Sequence, residues 1–262
     1  MDASLSIAKT GLEAQDMRMR VISNNLANVN TTGFKRDRAA FETLTYQNMR
    51  QVGAPNGGDT QLAVGLATGT GVRVMGTERI HAQGNLSVTT NALDLAIEGN
   101  GFFQVLKPDG TTAYTRDGAF TADGTGRIVT RDGLPLQPAI SVPQGYTNVT
   151  ISTEGTVSAT AAGASEPTEI GQIQLAQFIN PPGLQPQGDN LLTETPASGN
   201  AQVGQPGIDG LGQVRQGALE ASNVNMVEEL VNMIETQRAY EVNSKVVHSV
   251  DQMMGTATQM AG

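Results

Sequence analysis

Residues 93–133 read LDLAIEGNGFFQVLKPDGTTAYTRDGAFTADGTGRIVTRDG. Asp109-Gly110, Asp117-Gly118, Asp123-Gly124 and Asp132-Gly133 punctuate it, leaving short runs such as Leu93–Glu98, Phe102–Leu106 and Gly126–Thr130. Gly supplies the positive φ that tight turns need, and a preceding Asp bonds back to its own backbone, so these pairs between β-rich runs predict antiparallel hairpins. Asp209-Gly210 and Glu154-Gly155 continue the punctuation, and Val149–Ser152, Thr156–Thr160 and Ile170–Phe178 supply further runs. In the last of these Ile173 and Leu175 share one face while Gln172 and Gln174 lie on the other, as in a half-buried strand. The middle of the chain therefore reads as all-β.

Outward from this region the texture changes. Leu5, Ala8, Leu12, Met19, Ile22, Leu26 and Val29 fall on alternating three- and four-residue steps, interrupted only at Gln15, and the pattern stops at Thr31-Thr32-Gly33. Near the other end, Asn225 and Glu228 have the layout of a capping box, with Glu229 a second acid in the first turn, so a helix is predicted from about Asn225 to about Gln259. Val227, Leu230, Val231 and Ile234, then after a phase slip Ala239, Val242, Val246, Met253 and Met260, form its stripe. Residues 1–50 carry 7 basic and 5 acidic groups and residues 216–262 carry 2 and 6, so the two ends attract weakly. Two amphipathic helices lying on a globular domain would be the simpler reading; the narrowness of the stripes favours a partner helix instead. Tyr46–Gly71, rich in Gly, Gln and Asn, and the Pro-rich Asn180–Gly212 fit neither pattern and read as irregular.

Composition narrows the function. The 262 residues include 31 Gly, no Cys, no Trp and only 10 Phe and Tyr, so a single thick core is doubtful. Without Cys, and with only His81 and His248 as imidazoles, thiolate, zinc and nucleophilic chemistry lose their usual residues. A formal charge of −9 without a basic run leaves no footprint for nucleic acid. No phosphate-cradling, zinc-protease or nucleophile-elbow motif occurs, and no cofactor or small-molecule substrate is expected. The N-terminus lacks a basic, then apolar, leader pattern, which predicts a cytosolic chain or one exported without a cleaved signal peptide.

Four motifs then become specific. Ser23-Asn-Asn-Leu-Ala-Asn28-Val-Asn-Thr-Thr-Gly33-Phe-Lys35 resembles the N-terminal signature of the axial proteins of the bacterial flagellum, those of rod and hook. Residues Ser222–Lys245 resemble their C-terminal signature, and Leu93–Phe103 and Ala113–Gly118 are similar to their β-domain motifs. Length and the segment Tyr46–Ala63 resemble distal rod members more than hook or proximal rod members. The resemblance implies a non-enzymatic subunit that polymerises into a rigid helical tube transmitting torque. As partners it implies further copies of the chain, proximal rod proteins below, hook protein above, ring (bushing) proteins around and a rod cap during assembly; as location, a periplasm-spanning rod in the basal body. A carbohydrate-binding or hydrolytic β domain with helical arms is the alternative from another class.

The expected architecture is α+β. Residues 1–32 and 222–262 pair as a helical coiled coil, residues 33–75 and 205–221 form a linking segment with the insertion 46–63, and residues 76–204 form an outer β domain. The expected assembly seam is Leu5, Leu12, Met19, Ile22, Leu26, Val29, Val227, Val231, Ile234, Val242, Val246 and Met253. Asn24, Asn25, Asn28, Asn225, Gln237, Arg238 and Asn243 are the expected polar groups between subunits, since carboxamides and a guanidinium can pair repeatedly in a lattice. Tyr46, Arg50, Gln51, Pro55 and Leu62 mark the insertion.

Overall fold

The computed structural model describes residues 2–50, 64–161 and 166–261. Helix α1 (Asp2–Ala27) opens the chain and α2 (Met226–Ala261) closes it, with a strand-rich middle, an α+β arrangement. The chain divides into two compact units: Met1–Leu26 with Asp37–Glu78 and Asn225–Gly262, and Ala27–Arg36 with Arg79–Val224. Residues 205–221, read from sequence as linking chain, lie in the second.

In the first unit both helix boundaries follow from local chemistry. Asn225 Oδ1 accepts from the backbone N–H groups of Val227 (3.1 Å) and Glu228 (3.4 Å), capping α2 where the sequence predicts. An Asn225→Ala variant is expected to lose about 1 kcal/mol of α2 stability, measurable as faster amide exchange in its first turn. α1 ends at Ala27, and the chain turns through Asn28–Thr31 to Gly33, whose φ of +68° only glycine adopts freely. Asp37–Thr43 pairs with Val72–Arg79, and Tyr46–Arg50 pairs with Leu66–Gly69 in an antiparallel ribbon. The sequence reading of Tyr46–Gly71 as irregular is thus corrected at both of its ends; residues 51–63 lie outside the described residues.

The second unit is built on one sheet, with strands in the order Gln185–Gly188, Leu191–Thr193, Thr112–Thr115, Phe102–Leu106, Leu175–Gln177 and Gln202–Gly204, and Leu136–Gln137 also pairing with Phe102–Leu106. Alternation along these strands sends side chains to both faces, and both are covered. Phe103, Val105, Ala113 and Leu175 join the main core with Leu95, Ile97, Phe120, Ile128 and Val157. Phe102, Tyr114 and Ala176, one residue out of phase, join Phe178, Leu184 and Leu192 in a second cluster. The scarce aromatics are concentrated here: Phe103 meets Phe120 edge-on at 5.2 Å and Tyr114 meets Phe178 at 4.8 Å. A Phe103→Ala variant, emptying a fully buried site, is expected to cost about 3–5 kcal/mol, read by denaturant unfolding.

Most turn expectations hold. Gly110, Gly133, Gly155 and Gly210 have φ of +81° to +82°, and Asp123 accepts from the Thr125 and Arg127 backbone within its turn. Gly118 is different: a Cβ there would lie 1.6 Å from the Leu95 carbonyl oxygen, so glycine is required for close backbone approach and not for a hairpin turn. The run Ile170–Phe178 is divided between Thr168–Gln172, in a three-stranded meander with Tyr146–Ile151 and Thr156–Ala161, and Leu175–Gln177 in the main sheet. The Pro-rich Asn180–Gly212 supplies three strands, among them the edge strand Gln185–Gly188, where Pro186 needs no ladder N–H.

Candidate assembly surfaces and a buried ion cluster

The two faces of α2 are chemically reversed from ordinary core packing. Its buried positions are Glu229, Thr236 and Val250, one and two heptads apart, with Asn243 half-buried between them. Thr236 turns its hydroxyl back to the Asn232 carbonyl at 2.6 Å, which lets it sit buried without a further partner. The apolar stripe points outward: Val227 is 69% exposed, Val231 50%, Ile234 51%, Val242 59%, Val246 43% and Met253 56%. On α1 the buried residues are Ala8, Ala14, Val21, Ile22 and Asn25, whereas Leu5, Leu12, Met19 and Leu26 are half-buried, as is Val29 just beyond the helix. Asn243 lies against Gly11 of α1, where a Cβ would meet its Nδ2 at 3.2 Å. Beside this point an apolar groove of about 460 Å³ is lined by Ile7, Ala8, Gly71, Val72 and Val246.

The expected polar groups separate into two kinds. Asn25 is 1% exposed and its amide is engaged within the subunit, Nδ2 donating to the Asp37 carbonyl (2.8 Å) and Oδ1 accepting from the Asp37 N–H (2.9 Å). That reciprocal pair imitates a strand ladder and fixes where Asp37–Thr43 leaves the helix. Asn28 accepts from the Thr31 hydroxyl at 3.1 Å, and Asn225 caps α2. Asn24, Gln237 and Arg238 are exposed. Tyr46 and Arg50 sit on the exposed ribbon strand with Met49, 73% exposed; Gln51, Pro55 and Leu62 lie outside the described residues.

In the second unit the structure assembles a site that the sequence reading did not anticipate. Lys35 Nζ forms an ion pair with Glu220 Oε1 and donates to the Ala82 carbonyl at 2.8 Å. Glu220 Oε1 also accepts from the Gly84 N–H at 2.8 Å, and its backbone oxygen accepts from the Gly33 N–H at 2.8 Å. Arg116 places a guanidinium nitrogen 3.6 Å from Glu220 Oε2, donates to the Gly99 carbonyl at 2.6 Å and lies 5.6 Å from the Phe102 ring centre. Lys35, Arg116 and Glu220 are 3%, 6% and 0% exposed. Burial pulls both cations below their ordinary pKa and Glu220 acts in the opposite sense. His81 stands near them with both ring nitrogens shut from solvent, and burial, then Arg79, Lys35 and Arg116, lower its pKa to about 4. The usable sequence signal was Glu220, the one charge between Gly217 and Val227.

Among the described residues no group of three or more His, Asp or Glu side chains converges as metal ligands, and no helix is long and apolar enough to cross a membrane. The apolar face of α2 from Val227 to Met253 is exposed.

Comparison with known proteins assigns a class and then a family. Residues 5–35 match the model "Flagella basal body rod protein", residues 96–159 "Flagellar hook protein FlgE/F/G D1 domain" and residues 215–260 "Flagellar basal body rod FlgEFG protein C-terminal". Start, middle and end thus each carry the mark of a flagellar rod or hook axial protein. The flagellar basal-body rod protein FlgG of Buchnera aphidicola subsp. Schizaphis graminum is 54% identical over 260 residues, covering 99% of this chain and 100% of the relative. Those of Borreliella burgdorferi and Bacillus subtilis are 46% and 36% identical, covering 99% and 96% of this chain and the same shares of each relative. The chain belongs to the flagellar basal-body rod protein FlgG family. It is a structural, non-enzymatic protein of the flagellar basal body, where it assembles with other flagellar proteins.

Proposed function

We propose that the chain is a subunit of the distal rod, polymerising into a straight helical tube that carries torque from the motor to the hook. The observation that carries this reading is the outward apolar face of α2: large side chains at helical spacing are left in water by the subunit itself, as a surface reserved for other copies would be. Leu5, Leu12, Met19, Leu26 and Val29 of the N-terminal seam complete it, and the pairing of terminal helices as coiled coils belongs to the polymer in this reading. Asn24, Gln237, Arg238 and Asn243 cross-link copies, while Asn25 serves inside the subunit. In this reading the subunit also meets proximal rod, hook, ring and cap proteins in a rod that spans the periplasm, which its membership of the rod family supports.

Electron microscopy of the purified polymer tests the proposal. A straight, stiff tube is expected; a curved filament that switches shape would assign the chain to a hook-like role. Deleting residues 46–63, which include the exposed strand Tyr46–Arg50, is expected to give a polymer that bends. A deletion polymer as straight as the parent would remove the insertion from the account of stiffness.

A further inference from the structure

Residues 213–224 close the second unit from four directions at once. Gln213–Gln216 pairs antiparallel with Leu95–Glu98, Val214 lying opposite Ile97, and Ala218–Glu220 pairs with Leu86–Val88. Val214 enters the main core at 1% exposure. The Gln216 side chain accepts from the Ile151 N–H (3.0 Å) and donates to the Val149 and Ala92 carbonyls (2.8 Å each), supplying partners to the open edge of the strand Tyr146–Ile151. Asn223 accepts from the Arg36 N–H at 2.7 Å and donates to the Ile80 and Ala82 carbonyls at 2.9 and 3.0 Å. Glu220 brings the carboxylate that both Lys35 and Arg116 face.

We infer that Lys35, Arg116 and Glu220 form a folding interlock, so that the second unit closes as a whole only once residues 213–224 have docked. The physical reason is charge. Lys35 and Arg116 come from segments far apart in the chain and end up almost completely buried. Without an anion the two cations would exchange hydration for the Ala82 and Gly99 carbonyls and the Phe102 ring face alone, too little to offset the desolvation of two like charges, so both stay in water until Glu220 arrives. Arg116 follows the strand Thr112–Thr115 directly, and Gly33 leaves room for it: a Cβ on Gly33 would lie 2.7 Å from the Arg116 backbone carbon. Holding Arg116 out therefore holds open the strands that carry Phe103 and Tyr114, not merely the ion pair. The unit is thereby unable to complete itself on residues 27–36 and 79–212 alone, and a chain still missing its last fifth stays open. This inference does not rest on the rod reading.

Amide exchange on the full-length protein tests it, comparing peptides over 102–115 with peptides over 213–224. Glu220→Gln is expected to raise exchange in both regions by the same factor, about 100- to 1,000-fold. Adding Lys35→Met, which removes one stranded cation, is expected to restore at least about 10-fold of that protection in both. Faster exchange confined to 213–224 and 33–36 would overturn the interlock in favour of a local ion pair, as would a double variant no better protected than Glu220→Gln. If Glu220→Gln does not accumulate as soluble protein, Glu220→Asp, which keeps the charge at shorter reach, carries the same two-region comparison with smaller factors and the same overturning pattern.

Discussion

Replacing Ile234 by Asp is expected to abolish polymer growth at concentrations where the parent chain assembles fully, while the melting of the monomer stays where it was. In the isolated subunit Ile234 is half in water, on the same outward face as Val227, Val231 and Val242. An exposed position of this kind tolerates a polar side chain within about 0.5 kcal/mol. In a contact between copies the same carboxylate would be desolvated without a cation opposite it, at a cost of several kcal/mol. A loss of about 3 kcal/mol per contact raises the concentration needed for growth by about 100-fold, and every subunit of a helical polymer repeats that loss. Sedimentation of the polymer, paired with thermal unfolding of the monomer, reads both halves of the expectation. Thr236→Leu is the contrasting control, because Thr236 is fully buried on the opposite face. Overpacking there should destabilise the monomer by about 1–3 kcal/mol. Normal growth of Ile234→Asp polymer would show that the outward face does not make the contacts.

How much of this was legible depended on the range of the interaction responsible. The Asn225 cap and the Asp109-Gly110 and Asp132-Gly133 turns are decided within four residues, and the sequence predicts each of them. The apolar stripe of α2 was also visible as a stripe, but its direction was not. Periodicity shows that residues share a face; which face is buried is set by the neighbour, and here the buried face carries Glu229, Thr236 and Val250, with the Thr236 hydroxyl turned back to the Asn232 carbonyl. Asn25 illustrates the same point at one residue: the sequence reads it as a polar group between subunits, and its amide pairs with the backbone of Asp37 twelve residues on. The Lys35–Glu220 pair spans 185 residues and leaves no periodic trace, so only Glu220, a lone charge among neutral residues, could have marked it.

Between pH 6.5 and pH 4 the second unit is expected to lose about 3 kcal/mol of stability through His81 alone, its pKa falling from 6.5 in the unfolded chain to about 4 in the fold. The direction follows from proton counting. Across that window the unfolded chain binds a proton that the folded chain refuses, so stability falls as pH falls from 6.5, and the full loss is reached below about pH 4. The refusal has two causes: burial, and the surrounding charges of Arg79, Lys35 and Arg116, which an imidazolium would join as a further cation. Asp117 works against the trend, since burial raises its pKa and its protonation favours the fold, while Asp109 and Asp123, held low by hydrogen bonds from Thr111 and from Thr125 and Arg127, act only at more acid pH. Denaturant unfolding at pH 7, 5.5 and 4.5 should therefore show a slope in the parent chain that His81→Gln, a neutral side chain of similar reach, largely removes. An equal slope in the two proteins would assign the acid sensitivity to the carboxylates, and would mean that His81 takes up its proton in the fold as easily as in water.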